Sequence, residues 1–307
     1  MKKINIMALA AAFSLGGIAW AQETAPDMTE TAPAIEEALD EPEFNYVSAD
    51  FSLPFHSRYI IYGMVHGKGP VIKPNAQITF FDTLYFGILA QYDLTGGNGR
   101  RRGYGNRAGK WRLLDNTVGL KHDFDLGDTL GDLTVDVNYI YERIHRYWDP
   151  ARGKKTMGDT QYVNLELALN DLWLEPKLAI ERDIMDDNGT YANFSVGHKF
   201  GLCENVTLRP SVAQGLGNTQ RTRGYMSMGK YAGGDGFSHG GLMDTSLKLT
   251  AEWAICDHLS LSGYVAYYDY IFDSTMRSGA RARNRVISGG RADTAQFVGG
   301  LAINASF

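Results

Sequence analysis

The sequence has 307 residues, a formal net charge of −5, 21% charged residues and a mean hydropathy of −0.25. Beyond its first twenty residues, no apolar run approaches the roughly 20 residues that a membrane-spanning helix needs, which excludes a protein that crosses a membrane with several helices. The 35 glycines and 17 tyrosines, set against only 9 prolines, favour β-structure.

The N-terminus has the three parts of a secretory signal. Lys2 and Lys3 precede an apolar run that ends near Trp20, and Ala19-Trp20-Ala21 has the small-x-small pattern of a cleavage site. We therefore predict a signal peptide over residues 1–21 and export of the chain.

An acidic segment follows the predicted signal peptide. Residues 22–43 contain eight carboxylates and no Lys or Arg. Such a stretch buries little apolar surface, so we expect a flexible periplasmic leader. A plug or a partner-binding helix is the alternative for this segment.

From residue 44 onward, apolar residues recur at every second position, which indicates strands with one apolar and one polar face. The clearest case runs from Leu247 to Ile255, where the intervening residues are Lys, Thr, Glu and Ala. The fold class predicted for 44–307 is all-β, a closed antiparallel transmembrane β-barrel of about twelve strands, because hydrocarbon tolerates a sheet only when every edge is paired. The strands are predicted near 46–62, 71–81, 84–94, 112–125, 132–144, 160–170, 172–183, 190–201, 205–214, 243–255, 258–272 and 294–307.

The connections between these strands alternate in length. The tight ones contain Asp82-Thr83, Gly127–Gly131, Asn170-Asp171, Cys203-Glu204 and Cys256-Asp257. Most of the others are long: Gly96–Lys110, His145–Asp159, Gly215–Gly241 and Asp273–Asp293. Short periplasmic turns and long extracellular loops are typical of outer-membrane barrels, so we predict that location and that orientation.

Polar residues on the other strand face predict a charged lumen. Both a hydrated solute pathway and a lumen filled by mutually satisfied ion pairs fit this pattern. The candidate lumen residues are Arg58, Lys73, Asp136, Glu166, Lys177, Arg209, Lys248 and Glu252.

The long loops are basic, and we predict that they converge on one rim as a positive collar that attracts anions. Lipopolysaccharide phosphates are the nearest anions at that location, and guanidinium groups suit phosphate. Selection of anionic solutes is the alternative role. The predicted collar comprises Arg100, Arg101, Arg102, Arg107, Lys110, Arg152, Lys154, Lys155, Arg221, Arg223, Arg277, Arg281, Arg283 and Arg285.

Two cysteines are predicted to lie at the periplasmic rim, Cys203 just before the ninth strand and Cys256 just after the tenth. Neighbouring strands lie ~4.8 Å apart, which suits the ~4.4–6.8 Å Cα spacing of a disulfide, and the periplasm is oxidising. We therefore predict a Cys203–Cys256 disulfide. Two reduced turn residues are the alternative.

Part of the sequence resembles the opening of TorF-like porins. The residues that carry the resemblance are Ser57–Gly63 (SRYIIYG), Pro70–Pro74 (PVIKP), Leu84–Gly87 (LYFG) and Tyr92–Leu94 (YDL). The resemblance implies an outer-membrane barrel and transport, without a defined substrate. In addition, the terminal Phe307 looks like the signal that the bacterial barrel-assembly machinery reads.

We predict a porin-like channel for passive diffusion of small hydrophilic solutes, anionic ones among them. The alternative is a non-conducting structural or adhesive barrel whose basic loops contact lipopolysaccharide or host surfaces. A barrel hydrolase fits less well, because adjacent pairs such as His56-Ser57 point to opposite faces of a strand. The seven histidines lack metal-ligand spacing, so neither an enzyme nor a cofactor is expected, and export argues against nucleic acid as a partner.

Overall fold

A computed structural model describes residues 46–67, 69–95, 109–127, 129–144, 159–227, 230, 236–288 and 293–307, with the backbone alone of 148–149 and 154–155. The predicted signal peptide (1–21), the whole predicted leader (22–43) and most of the predicted loops Gly96–Lys110 and His145–Asp159 lie outside this described part.

The described residues form strands and two helices. The strands are β1 (Val47–His56), β2 (Tyr59–Ile61), β3 (Met64–Gly67), β4 (Val71–Ile72), β5 (Asn75–Phe80), β6 (Leu84–Asp93), β7 (Lys110–Asp125), β8 (Asp132–Ile144), β9 (Trp148–Asp149), β10 (Lys154–Lys155), β11 (Thr160–Leu169), β12 (Lys177–Asp183), β13 (Thr190–Gly197), β14 (Phe200–Cys203), β15 (Val206–Gly217), β16 (Gly241–Cys256), β17 (Leu259–Asp269) and β18 (Gln296–Ser306). The helices are α1 (Thr219–Met226) and α2 (Ser274–Ser288).

Fourteen of these strands form one antiparallel sheet that closes on itself. Strands β4 and β5 are consecutive parts of one wall strand, and β13 and β14 are parts of another, which leaves twelve wall strands in the barrel. Closure is made by β1 against β18, where Ala49 and Phe307 exchange backbone hydrogen bonds of 2.8 and 3.0 Å. The predicted closed barrel, ending in Phe307, is confirmed.

The two faces of the wall strands differ as the alternation predicts. On β18, Phe297 and Leu301 are 75% and 61% exposed on the outside. On β16, Leu247, Leu249 and Trp253 are also exposed, whereas the alternate residues line the interior. This arrangement gives the barrel an apolar outer surface and a polar lumen.

The structure corrects the first predicted strand. The wall strand ends at His56 and not near residue 62, and the chain then turns inward to form the separate β2–β3 hairpin. The reversal occurs at Tyr62 and Gly63, which both have positive φ angles, as a tight hairpin turn requires. Alternation alone does not distinguish a strand in the wall from a strand inside it.

A second boundary correction concerns β12, which begins at Lys177, later than the predicted 172. Residues 170–176 form a turn in which the Glu175 N–H donates to the Leu172 carbonyl at 2.8 Å. Pro176 lacks the N–H that a ladder position inside the sheet would use.

Two of the predicted long loops contain helices. In α1, the Asn218 side chain accepts a hydrogen bond of 2.9 Å from the Arg221 N–H, and at α2 the Asp273 carboxylate accepts from Thr275 and Met276. Within the described residues, no helix combines the length and the apolar character needed to cross a membrane.

The predicted disulfide is not formed, since both cysteines are free and exposed. Cys203 lies in β14, which pairs with one edge of β15, and Cys256 ends β16, which pairs with the other edge. The two thiols are therefore separated by a whole strand. The prediction failed because it placed Cys203 in the turn just before the ninth wall strand, whereas Cys203 is the last residue of the eighth.

Candidate functional site

The lumen contains a large cavity of about 770 Å³, with both polar and apolar lining, along the inner faces of β12 to β16. It extends from the short turns at Glu204, Asn205 and Asp257 to the tip of the β2–β3 hairpin at Tyr62. Its lining side chains include both cations and carboxylates: Lys177, Lys199, Arg209, Lys248, Glu181, Asp244 and Glu252. We call this cavity the vestibule.

Several predicted lumen residues face the vestibule or one another. Lys177 forms an ion pair with Glu166 on the neighbouring strand β11. Arg209 pairs with Glu175 at 2.6 Å, and Lys248 lies 4.8 Å from the centre of the Tyr264 ring. Features of both sequence interpretations, the solute pathway and the ion-paired lumen, are therefore present, because an open cavity coexists with paired charges.

The remaining predicted lumen residues lie elsewhere on the inside of the barrel. Asp136 accepts a hydrogen bond of 2.7 Å from the Tyr85 hydroxyl. Lys73 is buried, with its ammonium 5.2 Å from the Tyr59 ring centre. Arg58 lies in the link between β1 and β2, where it donates to the Gln296 side chain at 2.5 Å. It is not part of a wall strand.

The β2–β3 hairpin reaches the opposite wall of the barrel. At its tip, the Tyr62 hydroxyl donates a hydrogen bond to Glu181 on β12, and the Tyr62 ring lies 4.4 Å from the Tyr191 ring on β13. Gly63 touches β16 so closely that a Cβ there would lie 2.4 Å from the Asp244 Cβ. The tip therefore contacts three wall strands.

Arg221 on α1 forms an ion pair with Glu181, the wall residue that accepts the hydrogen bond from the hairpin tip. Its side chain is fully buried, 3.0 Å from the Glu181 carboxylate and 3.6 Å from that of Asp187. The guanidinium also lies 5.4 Å from the ring centre of Tyr62 and 5.5 Å from that of Tyr225, which are distances at which a cation is attracted to a ring face.

Two further arginines hold the base of the hairpin at His66. Arg112 on β7 donates to the His66 carbonyl at 2.8 Å, and Arg283 on α2 approaches the His66 Nε2 at 2.7 Å. Desolvation, followed by the charges of Arg283 and Arg112, holds the pKa of His66 well below its ordinary value. The ring is therefore neutral and can accept the Arg283 hydrogen bond.

An apolar cluster packs inside the barrel on the side of the long loops. Its members come from the hairpin, the wall strands β13 and β16, α1, α2 and the adjoining segments, and each is nearly inaccessible to solvent. They are Met64, Tyr191, Tyr225, Met226, Phe237, Met243, Tyr270, Met276 and Ala280. Such packing is expected to hold both helices inside the barrel.

A second cavity, of about 40 Å³, lies alongside the hairpin, between it and the wall strands β7, β8 and β11. This space holds on the order of three water molecules. Ile61, Tyr62 and Glu181 line both this small cavity and the vestibule. The Tyr62–Glu181 contact therefore stands between the two spaces.

The predicted positive collar is wrong for two of its members. Arg221 and Arg283 are buried inside the barrel, because their loops fold inward as α1 and α2. Arg277 is half-buried and donates to the Tyr270 carbonyl at 2.6 Å.

Other predicted collar residues are exposed where the structure describes them. These are Lys110, Arg223, Arg281 and Arg285. The side chains of Arg100, Arg101, Arg102, Arg107, Arg152, Lys154 and Lys155 lie outside the described residues.

Sequence reasoning missed the role of Tyr62. A signal was present, since Tyr62-Gly63 sits between the apolar pairs Ile60-Ile61 and Met64-Val65, a pattern typical of a short hairpin. As for metals, in the part of the chain that the structure describes no group of three or more His, Cys, Asp or Glu is placed to hold an ion.

No protein-family model and no curated protein matches the sequence. Among solved structures, the chain is similar to the NanC porin, with 9% identity, a TM-score of 0.45 and coverage of 84% of this chain and 98% of that one. It is also similar to the KdgM porin, with 8% identity, a TM-score of 0.44 and coverage of 85% and 99%. A third similar structure is an outer membrane channel from Pseudomonas putida F1, with 10% identity, a TM-score of 0.48 and coverage of 88% of this chain and 100% of that one.

These likenesses are too distant to support an argument about function, and the resemblance to TorF-like porins stays a prediction. The strand pairings establish the fold without them. The chain is a closed barrel of twelve antiparallel strands.

Proposed function

We propose that this protein is an outer-membrane channel for small hydrophilic solutes, anionic solutes included. The observation that carries the proposal is the vestibule, a space of about 770 Å³ inside a closed barrel, with cations and carboxylates in its lining. A barrel stabilised only by its core has no need for such a volume, because small barrels fill their interior with side chains. No catalytic role is proposed.

The apolar outer face supports the proposed location. Large side chains such as Phe297, Leu301 and Ile303 are exposed on one wall strand, where lipid would cover them. In the proposed orientation the short turns face the periplasm, so the vestibule opens to the periplasm and the helices lie towards the cell exterior. The predicted signal peptide (1–21) delivers the chain, and the acidic leader (22–43) stays periplasmic.

Three partners follow from this placement. Outer-membrane lipid covers the barrel wall, and the barrel-assembly machinery reads the C-terminal strand with Phe307. Lipopolysaccharide contacts the exposed cations of the outer rim, among them Arg223, Arg281 and Arg285, because phosphate is a preferred ligand of guanidinium groups.

A second candidate function is a non-conducting structural or adhesive barrel. The observation in its favour is the apolar cluster that packs inside the barrel on the side of the long loops. In that case the vestibule would open at one end only and conduct no solute. The function would lie in the exposed loops, which would bind lipopolysaccharide or host surfaces.

Conductance of a variant without the hairpin separates the two candidates. His56 and Val71 are direct register partners on β1 and β4, so residues 58–69 can be replaced by an Asn-Gly-containing turn of about four residues without breaking the wall. We expect this variant to give conductance steps in planar bilayers. If the variant is folded, as judged by its heat-modifiable migration on gels, and yet does not conduct, the channel proposal fails and the second candidate is favoured.

A further inference from the structure

Tyr62 occupies the point where the two lumen cavities meet. Its side chain lines both the vestibule and the 40 Å³ cavity beyond it, and Glu181, its hydrogen-bond partner, does the same. The direct route between the two cavities, along the lining that they share, therefore passes this pair and Ile61.

Contacts on several sides hold the Tyr62 ring in this position. The rings of Tyr191 and Tyr225 lie 4.4 and 5.0 Å away, centre to centre. Arg221 contacts both members of the pair, with its guanidinium 5.4 Å from the Tyr62 ring centre and 3.0 Å from the Glu181 carboxylate. The Tyr270 hydroxyl also donates to the Tyr62 carbonyl.

The backbone at the hairpin tip indicates that the position of the ring is imposed. Tyr62 has a φ of 50°, a left-handed conformation that bulky residues adopt only rarely. Conformations of this kind persist where surrounding contacts over-determine them, and they cluster at functional sites. At the neighbouring Gly63, also at positive φ, the lack of a side chain allows close contact with Asp244.

On the basis of the proposed channel function, we infer that Tyr62 is the residue that determines the selectivity of the pathway. Its ring closes the neck, by which we mean the point where the vestibule meets the 40 Å³ cavity, and Glu181 and Arg221 are positioning residues that hold the ring across it. Water-sized molecules fit the space beyond the neck, whereas a larger solute passes only when the ring moves aside.

Three substitutions test this inference in the full-length protein refolded into planar bilayers and liposomes. Tyr62→Ala removes the ring, and we expect a severalfold rise in single-channel conductance together with entry of a disaccharide in a liposome-swelling assay. Tyr62→Phe keeps the ring but removes the hydroxyl that donates to Glu181. We expect the channel of this variant to open more often than the wild type, with unchanged conductance of the open state. Tyr139→Ala, on the outward face of β8, is the matched control and should behave as the wild type.

The outcomes distinguish this inference from the channel proposal. If the hairpin-replaced variant conducts while folded Tyr62→Ala keeps the wild-type conductance and size limit, the channel stands and the role of Tyr62 is overturned. If neither variant conducts, the channel proposal itself fails. A Tyr62→Phe protein that opens no more often than the wild type overturns the positioning role of Glu181.

Discussion

The Tyr62 hydroxyl donates a hydrogen bond to Glu181 from the tip of a hairpin that leaves the barrel wall and crosses the lumen. The two residues are 119 positions apart in the sequence. Their contact connects the inward hairpin to the wall at β12, and through Arg221 it also involves α1. The stability of the closed lumen should therefore depend on a small number of buried charges.

Arg221 is expected to be the most costly of the loop arginines to remove. Arg221→Ala leaves the carboxylates of Glu181 and Asp187 without their buried cation, and breaking such a pair typically costs about 3–5 kcal/mol. Urea unfolding in lipid vesicles would measure this loss in the free energy of unfolding. Arg223→Ala, at an exposed position of the same helix, should change it by no more than about 0.5 kcal/mol. Equal effects of the two substitutions would contradict the buried role of Arg221.

The pH dependence of stability should carry a contribution from Asp187. Burial raises the pKa of this carboxyl from 3.8 to about 6, while Arg221 and the Gly189 N–H oppose the rise. A carboxyl whose pKa is higher in the folded state favours folding when protonated, so its contribution is greatest below about pH 4 and declines as the pH rises to 6.

The matching variant for this contribution is Asp187→Asn, which does not titrate. Between pH 4 and pH 7, the wild type should lose stability relative to the variant, measured as the difference in their urea midpoints. A difference that stays constant, or that changes in the opposite direction, would count against the raised pKa.

Neighbouring positions on β16 test whether lipid surrounds the barrel. Leu249 is exposed on the outer face and Thr250 lines the vestibule. Leu249→Arg places a charge in hydrocarbon and should cost about 2–4 kcal/mol near the bilayer midplane. Thr250→Arg places the same side chain in the polar lumen and should cost much less. Similar losses of unfolding free energy at both positions would argue against a transmembrane wall.

The cysteines provide a direct test of the strand order. Cys203 and Cys256 lie on strands that flank β15, so their Cα atoms should be about 9–10 Å apart, twice the spacing of neighbouring strands and too far for a disulfide. We expect a maleimide reagent to label two thiols per folded chain without prior reduction. No label before reduction, with two labels per chain after reductant, would show that the bridge forms.

The barrel wall was predictable because its signals are local. The alternation from Leu247 to Ile255 assigns each residue to a face of the strand, and the tight turns differ from the long connections in the sequence itself. Burial in lipid then requires every strand edge to be paired, which leads from separate strands to a closed barrel. These steps need no knowledge of contacts between distant residues.

The contents of the lumen were decided by tertiary structure. Nothing in the pattern around Tyr59–Gly67 distinguishes a hairpin in the wall from one that turns inward. Similarly, the residues around Arg221 have the composition of an exposed loop, although Arg221 itself is buried. Their positions depend on partners such as Glu181 and Tyr191, which only the closed barrel brings near. The sequence by itself therefore determined the wall of this protein, and long-range packing of side chains determined what closes its interior.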